Sequence, residues 1–429
     1  MKVLMLGWEF PPYISGGLGT ACFGLTKAMA QLGVKITFVL PKSVETRYTS
    51  HIKLLTPESV REKDIEFFEE LKNIKFRTIS SPLKPYIAPE LFRSQLLEKM
   101  RQKGSKPTEF PEEFDYQMID YSGDMYTEVH RYAAIATRLA MDEEFDVIHA
   151  HDWMTYPAGI SISQMSGKPL VVHIHSTEFD RSGEHVNQMI YDIEKKGMYS
   201  ASKVIAVSHF TKNIVIKKYG IHPEKVEVVY NGVEHNGDGA WTLGETGIKR
   251  NEKIVLFLGR ITMQKGPDYF IQAAKKVLEV MDNVKFVMAG SGDMINRAVE
   301  MAAGLGIGHK VLFTGFLRGD DVRRIYKMAD LYVMPSVSEP FGIAPLEALE
   351  HDVPVIISKQ SGVSEVLMHA LKVDFWDIDE IANKIIAVLK YPPLEITLKN
   401  YGNYEVRKLR WTETAAKCLK IYEQSLVSV

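Results

Sequence analysis

The sequence predicts an α/β protein built from two doubly wound domains. Short apolar, β-rich runs alternate with helical patterns along most of the chain, and the alternation stops at Asn236–Gly247 and restarts at Ile254. A chain of 429 residues with 45% hydrophobic content also exceeds what one core usually takes up.

Val3–Leu6 is an apolar run closed by Gly7, too short for a signal peptide or a membrane span, and reads as a first buried strand. The Gly-rich stretch Ser15–Thr20 leads into a helical pattern over Phe23–Gln31, Gly33 ends it, and Lys35–Leu40 resumes a β-rich run before Pro41. Together these make one β-α-β unit of a parallel sheet. From Lys42 to Met118 the pattern is irregular, with charge and proline clusters such as Lys103–Glu113, and reads as an elaboration. Alternation returns with helix Met125–Met141, strands Val147–His149 and Leu170–His173, a helix near Gln188–Tyr199 and strand Lys203–Val207. Ser208 is placed to cap the helix that follows. After strand Val226–Val229, the Gly-rich polar stretch Asn236–Gly247 reads as an interdomain linker.

The second set runs strand Ile254–Leu258, helix Asp268–Val280, strand Val284–Ala289, helix Met294–Ala303 and strand Val311–Thr314. It continues through helix Asp320–Met328, strand Leu331–Met334, a helix starting near Pro345 and strand Val353–Ile357, a second Rossmann-like alternation. An amphipathic pattern over Glu413–Leu426 predicts a closing helix. The expected boundaries are 1–235 with its elaboration at 42–118, 236–400, and a C-terminal helical segment 401–429.

Charge excludes one class of function. The 52 basic and 54 acidic residues are interspersed and leave a net charge of −2, so no positive field is available to collect nucleic-acid phosphates. Cys22 and Cys418 are too few for a disulfide framework and suit a reducing, cytoplasmic setting.

Open parallel sheets bind ligands beyond the carboxyl ends of their strands, so the residues after each strand carry the chemistry. Ser15–Gly19 offers bare backbone amides to an anion or a sugar, but its glycines are too closely spaced for G-x-G-x-x-G, and Val39–Lys42 supplies no acid for a ribose, which disfavours a nicotinamide cofactor. Gly259–Gly266 follows a strand and leads into a helix opened by Pro267. Arg260 and Lys265 therefore stand at a helix N-terminus, where two cations and the dipole can neutralise a pyrophosphate and stabilise it as a leaving group. Glu339–Glu347 follows another strand: Glu339 on the loop can accept hydrogen bonds from sugar hydroxyls, and Glu347 on the helix can accept the two hydroxyls of a ribose. His149-Ala150-His151-Asp152-Trp153 and His173-Ile174-His175 each end a strand, and alternate strand residues share a face. Such His pairs also suit a metal, which opens a metal-dependent hydrolase as a rival reading, although it leaves the loops of the second domain without a role. His151 and His175 fall nearer the strand ends and are the better candidates for substrate contact.

Taken in order, the Gly-Gly-Leu-Gly loop, His151-Asp152-Trp153, Asn231-Gly232-Val233, Gly259–Gly266 and Glu339–Glu347 resemble the retaining glycosyltransferases of the GT-B fold, in particular the glycogen and starch synthase group and its GT4-type relatives. The resemblance covers most of the chain outside Lys42–Met118. It implies two Rossmann-like domains facing across a cleft, a nucleotide-sugar donor (ADP-glucose or UDP-glucose), a glucan or oligosaccharide acceptor, and no cofactor or metal. Residue by residue, it implies that Arg260 and Lys265 bind the donor diphosphate, Glu339 the sugar near its 3-hydroxyl, and the backbone around Phe341, Gly342, Ile343 and Ala344 the sugar and distal phosphate. Glu347 would hold the ribose, Phe316 and Leu317 would face the nucleobase, and His175 would lie against the sugar. Gly17 and Leu18 would approach the phosphates, and His151 and Trp153 would line the acceptor side. Ile14 and Ser15 stand where bacterial glycogen synthases usually carry a lysine, and Glu234 replaces a common Asp. The first departure brings the chain nearer the GT4-type relatives, whose acceptors include small-molecule and lipid-linked ones.

Overall fold

The structure, a computed structural model, describes residues 1–10, 17–42, 74–80, 125–234 and 252–427. The expected linker Asn236–Gly247, the cluster Lys103–Glu113 and the start of the Gly-rich loop through Gly16 lie outside the described residues.

Seven strands form the first sheet: β1 (Lys2–Leu6), β2 (Lys35–Lys42), β3 (Ile74–Ser80), β4 (Val147–His151), β5 (Leu170–Ile174), β6 (Lys203–Ala206) and β7 (Val226–Val228), in the order β3-β2-β1-β4-β5-β6-β7. Six form the second: β8 (Lys253–Leu258), β9 (Val284–Ala289), β10 (Val311–Gly315), β11 (Leu331–Met334), β12 (Val355–Ser358) and β13 (Leu371–Val373), in the order β10-β9-β8-β11-β12-β13. In both sheets the first strand pairs in parallel with its second and fourth, β1 with β2 and β4, β8 with β9 and β11. The chain therefore reverses direction across each sheet between β1 and β4 and between β8 and β11. These are the two switch points at which doubly wound sheets hold ligands.

Alternation along the second sheet explains why both of its faces are covered. Val255, Phe257, Phe286, Met288, Leu331 and Val333 enter one core, with Phe270, Ile271 and Val277 of helix Pro267–Leu278. Leu256, Val287, Tyr332, Met334, Val355 and Ile357 enter the other, with Leu346 and Leu349 of helix Ala344–Glu350. Successive side chains of a strand point to opposite faces, so near-continuous apolar runs are what a sheet between two helical layers requires.

Three elements depart from the expectations. The stretch read as irregular contains β3, which pairs in parallel with β2 at the edge of the first sheet. Helix Gly17–Gln31 begins six residues ahead of the expected Phe23, so Gly17 and Leu18 belong to its first turn. Helix Pro392–Val406 fills the stretch after Tyr391, its two prolines occupying the first turn, where their missing N–H groups cost nothing. The closing helix is present as Trp411–Val427. Among the described residues no helix is long and apolar enough to cross a membrane.

By internal contacts the chain divides into two compact units. One holds Met1–His173, Ile193–Val204 and Tyr422–Val429, the other Ile174–Asp192 and Ile205–Ile421. His175 thus belongs to the second unit, with both loops that carry the expected cations and acids.

Candidate active site

In the second unit the switch point is built from the loops after β8 and β11. The first leaves the strand through Gly259, makes a 3-10 turn over Met263–Lys265 and enters helix Pro267–Leu278 through Gly266. Gly266 has φ +69°, and a Cβ there would collide with the Pro335 carbonyl oxygen at the end of β11. Only glycine lets the two loops approach this closely. As a result Lys265 Nζ forms an ion pair with Glu339 across 74 residues of sequence, with Ser336 Oγ donating to the same carboxylate at 3.3 Å. Arg260 is five residues back on the same loop and donates to Gln264 Oε1 at 3.1 Å.

Glu339 is held from behind by main chain. Its N–H donates to the Gln360 carbonyl and its carbonyl accepts from Gly362 N–H, each at 2.9 Å. Phe341 is buried, Gly342 adopts φ +104°, and Ile343 and Ala344 lead into helix Ala344–Glu350 with Pro345 in its first turn. Glu347, in that first turn, accepts from Tyr326 Oη at 3.0 Å. Burial pushes its carboxyl up, while the Tyr326 hydroxyl and His351 pull it back. Burial, and then both Glu339 and Glu347, push the Tyr332 phenol well up, so this ring lies within the field of both carboxylates. Phe316 is 45% exposed just past β10, with the Arg318 guanidinium 5.2 Å from its ring centre, and Leu317 packs into the second core. His175, just past β5, is half-buried; burial pushes its imidazole down to about 3, so the ring is neutral at ordinary pH.

The first unit holds the remaining candidates. His151 ends β4 fully buried, Trp153 is buried in the turn after it, and Asp152 between them adopts φ 58°, ψ 168°, a region that side chains rarely occupy and that costs about 1–3 kcal/mol. Leu18 is buried and Gly17 exposed at the start of their helix, where Glu9 accepts from Gly19 N–H at 3.3 Å. His149, His151 and His173 converge, with one ring nitrogen of each within 4.8 Å of the others'; His173 lies 5.3 Å from each of the others at interplanar angles of 11° and 29°, and His149 is tilted 40° to His151. His149 Nδ1 meets Tyr422 Oη at 2.6 Å. Both cysteines are free and buried.

Sequence reasoning missed several partners. Gly290 and Gly292 let the loop after β9 pack against the Gly259 and Ile261 carbonyls; the signal was a second Gly-x-Gly at a strand end. Gln264, Ser336 and Tyr326 orient the expected residues, and nothing in their spacing marks them.

Residues 117–236 match the family model "Glycosyltransferase Family 4" and residues 243–405 match "Glycosyl transferases group 1". An uncharacterized glycosyltransferase of Methanocaldococcus jannaschii is 30% identical over 99% of this chain and 98% of its own length. The chain belongs to the glycosyltransferases of the GT4 type, with the GT-B fold. It is also similar to the UDP-Gal:alpha-D-GlcNAc-diphosphoundecaprenol alpha-1,3-galactosyltransferase of Escherichia coli (27% identity, 68% of this chain, 78% of the relative) and to a glycogen synthase of Mycobacterium tuberculosis (23%, 86% and 80%). Among solved structures, sucrose-phosphate synthase from Thermosynechococcus elongatus matches with a TM-score of 0.71 at 19% identity, covering all of both chains.

Proposed function

We propose that this glycosyltransferase moves glucose from ADP-glucose or UDP-glucose to an α-glucan, with retention of the anomeric configuration and without a metal ion. The observation that carries the donor half is the Lys265–Glu339 pair at the switch point of the second sheet, beside a helix N-terminus. In this reading the donor diphosphate takes over Lys265, with Arg260 adding a second cation. Glu339, released from its ion pair, accepts from the sugar hydroxyls, Glu347 accepts from the ribose, and Phe316 and Leu317 face the base. His175 contacts the sugar as a neutral ring. From the first unit, Gly17 and Leu18 serve the phosphates, and His151 and Trp153 serve the acceptor.

The bond from the anomeric carbon to the phosphate oxygen breaks, the bond to the acceptor oxygen forms on the same face, and the acceptor proton passes to the departing phosphate. Arg260, Lys265 and the helix dipole carry the charge that builds on the leaving group. Support for a glucan acceptor comes from Trp8-Glu9-Phe10-Pro11-Pro12, the Gly-Gly-Leu loop and His151-Asp152-Trp153, and from the similarity to a glycogen synthase. The similarity to a transferase named for a diphosphoundecaprenol acceptor supports a second reading, a lipid-linked acceptor.

Proton NMR of the first product formed from an α-linked donor tests the assignment. An α-glucoside extending a maltooligosaccharide is expected. A β-linked product refutes retention, and transfer to a lipid diphosphate sugar but to no glucan selects the second reading.

A further inference from the structure

The loop that presents Glu339 is gripped on both flanks by side chains from far earlier in the chain, all within the second unit. One residue before it, Ser338 Oγ donates to Asp180 Oδ1 at 2.5 Å. One residue after it, the Pro340 carbonyl accepts from Ser208 Oγ at 2.5 Å and from Thr211 Oγ1 at 3.3 Å. The second grip depends on Gly362, where a Cβ would collide with both the Pro340 carbonyl and Ser208.

Asp180 is the less expected of the two anchors. It lies in the short helix Glu178–Ser182, five residues beyond His175, and is 1% exposed. Its Oδ2 closes a capping box, accepting from the Thr177 N–H and hydroxyl at 2.7 Å each. The cap is complete without Oδ1, and that oxygen is spent on Ser338. Three donors converge on this carboxylate; an amide in its place would keep both Thr177 bonds at its oxygen and meet the Ser338 hydroxyl through its NH2, so only removal of the side chain breaks the link.

We propose that Asp180 is a positioning residue for sugar transfer: through Ser338 it fixes the Glu339 loop against the segment that carries His175, so that both groups meet the donor sugar in register. This deepens the donor-site reading above and rests on it. A loop freed on one flank still leaves Arg260 and Lys265 to hold the diphosphate. The loss therefore falls on sugar recognition and on the transfer step, where a misplacement of the order of 1 Å costs roughly 100-fold.

The test compares wild type, Asp180→Ala, Ser338→Ala, Ser338→Thr and Thr177→Ala in turnover of the accepted nucleotide-glucose and in calorimetric titration with the nucleoside diphosphate alone. Asp180→Ala and Ser338→Ala are expected to lower kcat by about 10- to 100-fold while diphosphate affinity stays within about 2-fold, the double variant being no worse than the poorer single one. Ser338→Thr keeps the hydroxyl and restores turnover. Thr177→Ala loses only the cap, lowering Tm with kcat retained. Wild-type turnover in Ser338→Ala, or kcat losses that multiply in the double variant, overturns the inference while leaving the donor site standing. A wild-type protein that binds no nucleoside diphosphate overturns both.

Discussion

Replacing Lys265 with alanine should cost stability and donor affinity by separately measurable amounts. The Glu339 side chain is 8% exposed and that of Lys265 is 21% exposed. After the substitution, the carboxylate keeps the Ser336 hydroxyl and loses its counter-charge. Breaking a buried ion pair from one side costs about 3–5 kcal/mol, and the partial exposure of Lys265 lets water reach the gap, which brings the expectation to roughly 2–3 kcal/mol. Lys265→Met combined with Glu339→Leu removes both charges and should recover most of that stability. Donor affinity behaves differently. A charge-assisted hydrogen bond to the diphosphate is worth about 1.5–3 kcal/mol, or roughly 10- to 140-fold in Kd. Because the wild-type lysine must first leave Glu339, the lower end is expected, and the double variant does not recover it. Urea midpoints at constant slope read the first quantity, and calorimetric titration with ADP and UDP reads the second. A Lys265→Ala protein with both the wild-type midpoint and the wild-type nucleotide affinity would refute the reasoning.

Tyr326→Phe removes a hydrogen bond that favours the ionised form of Glu347, so the carboxyl, already raised by burial, rises further. Since the protonated acid cannot accept two ribose hydroxyls, KM for the donor should begin to climb at a higher pH than in wild type; pH profiles that superimpose contradict this. His175 sits near 3 when folded against an ordinary 6.5. Its folded pKa is depressed, so its contribution to stability is complete above 6.5 and is lost as pH falls from 6.5 towards 3. His175→Gln should accordingly flatten the decline of the urea midpoint over that window. Gly266→Ala places a side chain at φ +69° against the Pro335 carbonyl. The left-handed conformation alone costs about 1–2 kcal/mol, and the collision forces apart the loops bearing Lys265 and Glu339. Both Tm and turnover should fall, and a variant that keeps either contradicts the packing argument.

Strand–helix alternation made the architecture legible because the inner strands of the second sheet bury both faces and so read as dense apolar runs, Lys253–Leu258 and Val284–Ala289 being clear cases. β3 was not legible: Ile74–Ser80 is short, lies among charge clusters, and is identified by its pairing with β2 rather than by its own composition. In the site, Gly259–Gly266 and Glu339–Glu347 could be found because glycines, charges and strand ends coincide there. The pairing of Lys265 with Glu339 was hidden, since it depends on β8 and β11 being neighbours, a fact of strand order that spacing does not carry. Asp180 and Ser338 were hidden for the same reason, as was the bond from Ser208, read in the sequence as a helix cap, to the Pro340 carbonyl. Hydroxyls and capping acids are common in loops, and only the fold brings these three to one turn.

The most direct measurement is release of nucleoside diphosphate by the full-length protein in buffer containing EDTA, with ADP-glucose or UDP-glucose, in the presence and absence of glycogen. The account predicts release with one of the two donors that rises with glycogen and is abolished in Lys265→Ala and Glu339→Gln. Release that requires an added divalent ion, or that persists unchanged in both variants, would contradict it.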